Sequence, residues 1–302
     1  MSDHDTEGRP TSARFGISAA LGTPFRSDGS VDTEAAIAHA SWVLDQGASS
    51  ITLFGTTGEG ASLGTQERFD LLDAILNSGS SAEQIVATIC SPSLTDAILQ
   101  AKSYQSRGVR RMLVTPPFYF KGISNEALFS WYSKFIAATA DTSPQYILYH
   151  IPQVTGVSVT ANLVQNLQEM FGELIYGVKD SSGEWDSTAA LLELDDLAVL
   201  VGDERQLARG ASRGASGAIS GMANLFPKRL LGLVESGRSD PQIDALVDEL
   251  VQSPVTAAVK ALIGETHHVP GWHRTRAPLE PTPELVVENL ARLLEKFSIQ
   301  GL

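Results

Sequence analysis

A single cysteine, Cys90, stands in a chain of 302 residues, which excludes an intrachain disulfide and a cysteine-rich metal site. Basic residues are also scarce: 22 Lys and Arg against 35 Asp and Glu leave a formal net charge of −13. That balance argues against nucleic acid or an anionic membrane surface as the main partner. A small anionic substrate stays open, because backbone N–H groups can hold a carboxylate inside an acidic protein. No apolar run reaches the length of a membrane span. Residues 1–14, MSDHDTEGRPTSAR, are polar and lack the apolar core of a secretory signal, so they read as a disordered leader and the protein as cytoplasmic. The stretch after the first apolar run, ALGTPFRSDG, also lacks the glycine-rich fingerprint of a nucleotide-binding open sheet.

What is present is a repeated alternation of short apolar runs with helical segments. Strands are expected at 16–21, 50–54, 85–89, 111–115, 146–149, 174–178, 198–201 and 217–220. Several are near-continuously apolar, as strands covered on both faces must be. Helices fit between them. Asp32 caps one that carries Ile37, Ala40 and Leu44 and ends at Gly47, and Thr65 opens the next. Others are expected at 93–106, 124–140, 160–171, 186–194 and 204–212. Eight βα units predict an α/β fold, a closed (β/α)₈ TIM barrel over 15–225, in preference to an open doubly wound sheet. Residues 226–302 then form a C-terminal helical extension, with helices in 227–265 and 282–296, the last capped by Thr282 and led by Pro283.

In such barrels the reactive groups gather at the C-terminal ends of the strands. The sixth run is followed by Lys179. A lysine at the end of a buried strand is held in partly apolar surroundings that favour the free, nucleophilic amine, and such amines form Schiff bases with carbonyl compounds. The second run ends in Gly-Thr-Thr-Gly-Glu-Gly (55–60), whose N–H groups and hydroxyls suit a carboxylate. The fifth ends in Tyr149-His150-Ile151-Pro152, where a phenol can shuttle a proton.

GTTGE, the Tyr-x-x-Pro of residues 149–152 and the GVKDSSG around Lys179 resemble the family of dihydrodipicolinate synthase and N-acetylneuraminate lyase. The resemblance runs from about Phe15 to the last helix and takes in Thr23-Pro24-Phe25 and the 217–224 segment. It implies that Lys179 forms the Schiff base with a 2-oxo acid such as pyruvate. It also implies that Thr56 and Thr57 hold the pyruvyl carboxylate, Thr57 also relaying protons. Tyr149 would shuttle protons at the reacting atoms, and the Ile219 backbone would lie beside the pyruvyl unit. No metal or organic cofactor is required, since the iminium is itself the electron sink. A homotetramer, built as a dimer of dimers, is the assembly the resemblance implies.

Departures from the family pattern bear on the substrate. Dihydrodipicolinate synthases similar to this chain carry an arginine two residues after the Tyr-x-x-Pro proline, where Val154 stands here. An apolar side chain cannot replace a bidentate guanidinium, and losing that contact costs on the order of 10²-fold in rate. Tyr119, in the segment 115–121, is the candidate for a proton relay across a subunit interface, displaced by what looks like a short insertion. Lys121 is a rival amine in a solvent-facing loop, Cys90 a small residue lining a strand end, and His150 faces away if Tyr149 faces in. Asp203 and Glu204, after the seventh run, match a pair that binds sugar hydroxyls in similar lyases, and they equally suit a helix N-terminus. The expectation is a class I lyase or aldolase of a 2-keto-3-deoxy sugar acid or related 2-oxo acid, working through a pyruvate enamine. The alternatives are a dehydratase using the same Schiff base, dihydrodipicolinate synthase proper, and a non-catalytic 2-oxo acid sensor.

Overall fold

The computed structural model of the chain describes residues 14–298. The expected leader therefore lies, Arg14 apart, outside the described residues. Eight parallel strands close into a barrel in chain order, the first pairing with the last. They are β1 (Gly16–Ala20), β2 (Ser50–Leu53), β3 (Ile85–Ile89), β4 (Arg111–Val114), β5 (Gln145–His150), β6 (Ile175–Asp180), β7 (Ala198–Val201) and β8 (Gly217–Ser220). Closure needs the backbones of β8 and β1 to meet, and Gly217 allows it. Its φ is +151°, and a Cβ there would stand 2.0 Å from the Gly16 carbonyl oxygen.

Side chains alternate across the sheet and sort into two apolar layers. Val86, Leu113, Ile147, Tyr149, Leu200 and Ile219 fill the barrel interior. A larger layer, with Leu148, Val178 and Val199 on its strand side, packs between sheet and helices. This is why the apolar runs looked continuous: one face fills the barrel and the other meets the helices.

The helices are α1 (Thr33–Asp45), α2 (Thr65–Asn77), α3 (Leu94–Ser106), α4 (Asn125–Thr139), the single turn α5 (Pro152–Thr155), α6 (Ala161–Phe171), α7 (Trp185–Leu192), α8 (Leu207–Ser212) and α9 (Pro227–Ser236). Their starts follow side-chain caps. Asp32 accepts from the Ala35 N–H, Ser93 from Asp96, Ser124 from Ala127 and Thr160 from Leu163. Helix α9 packs on β1 and α8, so the outer ring runs on past residue 225 and is completed by the helix that follows β8.

Three further helices, α10 (Pro241–Leu250), α11 (Val255–His267) and α12 (Glu284–Ser298), pack on one another. Helix α10 also lies against the turn Glu204–Gln206, and α11 against Met222–Asn224. The extension therefore covers the C-terminal ends of β7 and β8. Helix α12 begins one residue later than its expected cap implies: the Pro283 carbonyl, rather than Thr282, accepts from the Val287 N–H. Strand β6 also runs two residues further than its apolar run, because Lys179 and Asp180 pair in register with β5 and β7.

Candidate active site

Lys179 lies between Tyr149 on β5 and Leu200 on β7, register partners on either side. Adjacent parallel strands put residues at matched register on the same face, so the lysine and the phenol enter the barrel mouth together. Lys179 Nζ donates to Tyr149 Oη at 3.2 Å and sits 4.5 Å from the centre of its ring. Thr56 Oγ1 is 3.3 Å from the same phenol oxygen. The Tyr149 hydroxyl thus bridges the amine and the glycine-threonine turn, a short path along which a proton can pass. All three line a cavity of about 320 Å³, together with Thr57, Ile219, Val154, Asp203 and Glu204. Two larger hollows lie on the outer surface, one between α4 and α6 and one beside the start of β7, and neither holds a lysine.

The turn at 55–60 is held from several sides. Phe54 and Glu59 both adopt left-handed backbone. A Cβ on Gly60 would stand 1.8 Å from the Phe54 carbonyl oxygen, so no larger residue fits that fold of the chain. The Thr23 hydroxyl donates to the Gly58 carbonyl at 2.7 Å, and Thr256 Oγ1 donates to the Thr56 carbonyl at 3.2 Å. Buried Arg68 donates to the carbonyls of Gly60, Leu63 and Cys90, tying the turn to the end of β3. Burial pushes the Cys90 thiol up, which leaves it a poor nucleophile.

Beneath the turn, Glu59 Oε1 forms an ion pair with Lys260 of α11, both side chains fully buried. Lys260 Nζ also donates to the Arg274 carbonyl at 2.5 Å, and the Arg276 N–H donates to Glu59 Oε2 at 2.9 Å. The Phe25 ring lies 4.3 Å from Lys260 Nζ and 4.6 Å from the Arg276 guanidinium. Burial lowers the Lys260 pKa, and Glu59 opposes that shift. Sequence reading missed this pair. Its only signal is a lysine inside the apolar stretch Ala257–Ile263, where a helix buried on all sides has no place for an unpaired charge.

Other expected site residues are placed differently. Asp203 lines the cavity, but both carboxylate oxygens hold Arg205, at 3.0 Å (Oδ1 to Nε) and 2.7 Å (Oδ2 to Nη2). Arg205 Nη1 reaches Asp248 Oδ1 at 2.8 Å. The Asp203 bonds, then those of Asp248, hold the guanidinium more firmly charged than usual. Glu204 is buried and accepts from Ser220 Oγ at 2.5 Å and the Met222 N–H at 3.3 Å. Burial raises its pKa above the usual carboxylate range, against the Ser220 bond.

Tyr119 is not brought to the cavity. It is 75 % exposed in the loop after β4, edge-on to Phe120. Lys121 Nζ is taken up by the carbonyls of Phe118 and Thr155. His150 faces outward, its Nδ1 accepting from the Val159 N–H at 3.0 Å. Among the described residues no cluster of three or more His, Cys, Asp or Glu side chains could hold a metal ion, and no helix is long and apolar enough to cross a membrane.

With this geometry in place, the whole chain can be compared with known proteins. The sequence profile of the dihydrodipicolinate synthetase family matches residues 13–297. A DapA-like lyase of Chloroflexus aurantiacus, itself uncharacterised, is 32 % identical over 93 % of this chain and 96 % of its own. The crystal structure of dihydrodipicolinate synthase from Agrobacterium tumefaciens superposes with a TM-score of 0.91 at 42 % identity, covering 94 % of this chain and 99 % of that one. The Acinetobacter baumannii dihydrodipicolinate synthase, solved in complex with pyruvate, superposes with a TM-score of 0.86 at 27 % identity, over 95 % of this chain and 100 % of that one.

Proposed function

The chain belongs to the dihydrodipicolinate synthetase family of lyases, and on that premise we propose that it forms or cleaves a 2-oxo acid through a pyruvate enamine on Lys179. The observation that carries this is the Lys179 amine 3.2 Å from the Tyr149 phenol at the mouth of a cavity, with Thr56 on the phenol's other side. The free amine adds to the ketone carbon, and loss of water leaves an iminium. In the cleavage direction the C3–C4 bonding electrons flow into the iminium and give the enamine. The C4 hydroxyl gives up its proton through the Tyr149 hydroxyl as the aldehyde forms, and the enamine takes up that proton at C3. Protonation of the enamine at C3 and hydrolysis of the iminium then return the lysine and release pyruvate. Thr56 and Thr57, presented with the N–H groups of the turn, take the pyruvyl carboxylate, and the Ile219 backbone lies beside it. This chemistry needs no metal or organic cofactor. A sensor without catalysis has no use for a phenol hydrogen-bonded to the amine.

The reading covers 2-keto-3-deoxy acids and related 2-oxo acids, all of which carry the pyruvyl unit that the Schiff base needs. Dehydration of such an acid through the same Schiff base is the nearest alternative. Synthesis of 4-hydroxy-tetrahydrodipicolinate, the activity named for several relatives, needs a cation for the second substrate's carboxylate. Val154 occupies the place where such an arginine is expected, and Arg205 at the cavity is taken by two aspartates. The reading includes a cytoplasmic homotetramer, a dimer of dimers, in which exposed Tyr119 could meet a neighbouring subunit.

The test is reductive trapping. Incubation with pyruvate and borohydride should place the adduct on the peptide carrying Lys179 and give none in Lys179→Arg protein. An unlabelled Lys179, or an adduct that persists in the variant, would sink the mechanism.

A further inference from the structure

Beyond the pyruvyl site the cavity has two unlike walls. One is aliphatic: Val247, Leu250 and Val251 from α10 and its end, Val255 and Val259 from α11, and Val154 from α5. Ten large apolar side chains are exposed among the described residues, and three of them, Val154, Val251 and Val255, border this one cavity. Apolar side chains left exposed together at the rim of a reactive cavity mark a surface that a ligand covers.

The other wall is polar, and its charged groups already hold partners within the protein. Asp203 gives both oxygens to Arg205, and Arg205 gives its remaining nitrogen to Asp248. Glu204 holds Ser220 and the Met222 N–H. Gln153 Nε2 donates to the Ser181 carbonyl at 2.6 Å, and Ser182 Oγ accepts from the Glu184 N–H. A polyol seated here would compete with these bonds for the charged groups. A second carboxylate would meet Asp203, Asp248 and Arg205, one cation between two anions.

We infer that the group on the far side of the scissile bond is an uncharged apolar chain or ring, and that the partner of the pyruvate enamine is an apolar aldehyde rather than a sugar or a semialdehyde carboxylate. This rests on the Schiff-base reading and adds the class of second substrate to it. The cavity-facing valines supply the contact, while the paired charges of the other wall repel a carboxylate and offer a hydroxyl only bonds shared with existing partners.

The experiment uses the full chain with pyruvate and measures kcat/KM for propanal, butanal, pentanal and hexanal, beside glyceraldehyde and succinic semialdehyde. The expected result is a rise of roughly fourfold for each methylene that reaches the aliphatic wall. The two polar aldehydes should fall at least about 10²-fold below hexanal. Val251→Asn and Val255→Asn, both at exposed positions, should each lower the hexanal value roughly tenfold. A flat alkyl series, a preference for either polar aldehyde, or hexanal kinetics untouched by both variants would overturn the inference. Borohydride trapping of pyruvate in the same preparation separates the failures. An adduct on Lys179 without apolar preference overturns this inference alone, and absence of the adduct overturns the Schiff-base reading with it.

Discussion

Replacing Lys260 by methionine keeps an unbranched chain in α11 but removes an ammonium group that two acceptors share. The Glu59 carboxylate would then stay buried with the Arg276 N–H at Oε2 and no counter-ion at Oε1. Breaking one partner out of a buried ion pair costs about 3–5 kcal/mol, because the survivor remains desolvated. Unfolding entropy near 2.1 cal/mol/K per residue gives about 0.6 kcal/mol/K for 302 residues. The expected loss of melting temperature is therefore about 5–8 °C, read by calorimetry. A structural effect alone would end there. Glu59 closes the turn that carries Thr56 and Thr57, so KM for pyruvate should rise by more than kcat falls. Adding Glu59→Gln should recover part of the loss, since an amide oxygen still accepts from Arg276 and no buried charge remains. A Lys260→Met protein that melts within about a degree of the parent, a shift far below the one worked above, would refute the reasoning. So would a double variant no more stable than the single one.

Tyr149→Phe removes the hydroxyl that bridges Lys179 and Thr56 while leaving the ring in place. Turnover should fall about 10²- to 10⁴-fold while borohydride still traps pyruvate on Lys179; steady-state rates within threefold of the parent would show that another group carries the proton. Stability should also depend on pH through His39, whose pKa burial lowers from 6.5 to about 4. Its Nε2 is bonded to Asn224 Oδ1 at 3.1 Å and its Nδ1 has no partner among the described residues, so a second ring proton would be a buried orphan. The unfolded chain takes up that proton first. His39 therefore costs nothing above about pH 7 and removes about 3 kcal/mol as pH falls from 6.5 to 4. Urea unfolding across that window should give a flatter profile for His39→Gln, and identical slopes would disprove the assignment.

What could be read from sequence follows from how local each cause is. Strands β3 and β7 fall on their apolar runs because both faces of a barrel strand are buried, leaving a continuous signal. Strand β6 ran past its signal because Lys179 and Asp180 look like the start of a loop. They stay in the strand because one enters the cavity and the other accepts from Thr188 Oγ1 and the Ser182 N–H. Lys179, Tyr149 and Thr56 could be brought together from sequence because each lies at or just past a strand end, where matched register pairs Tyr149 with Lys179 and the turn after β2 brings Thr56. Lys260 could not, since its partner is 201 residues away and nothing local says which face of α11 meets the barrel. Asp203 and Glu204 were visible as an acidic pair at a helix start. Only the placement of Arg205, Asp248 and Ser220 shows that both Asp203 oxygens and Glu204 Oε1 already hold partners inside the protein.

This separates the origin of the reaction from the origin of its selectivity. The amine and the phenol sit on β6 and β5, where a shift of one register position would turn each to the wrong face, and the threonine turn directly follows β2. Those positions admit little change and leave a motif. The aliphatic wall comes from α5, α10 and α11, and the apolar faces of α10 and α11 pack mainly on one another, on α12 and on neighbouring turns. Exchanging valine for threonine or arginine at their exposed edge leaves those faces intact, so the wall can vary while the strands stay fixed. The residues that choose the second substrate thus carry no motif, because packing constrains them on one side only. A family resemblance anchored on the strand ends therefore speaks to the proposed intermediate on Lys179, while on the apolar-aldehyde proposal the second substrate is chosen by Val154, Val251 and Val255.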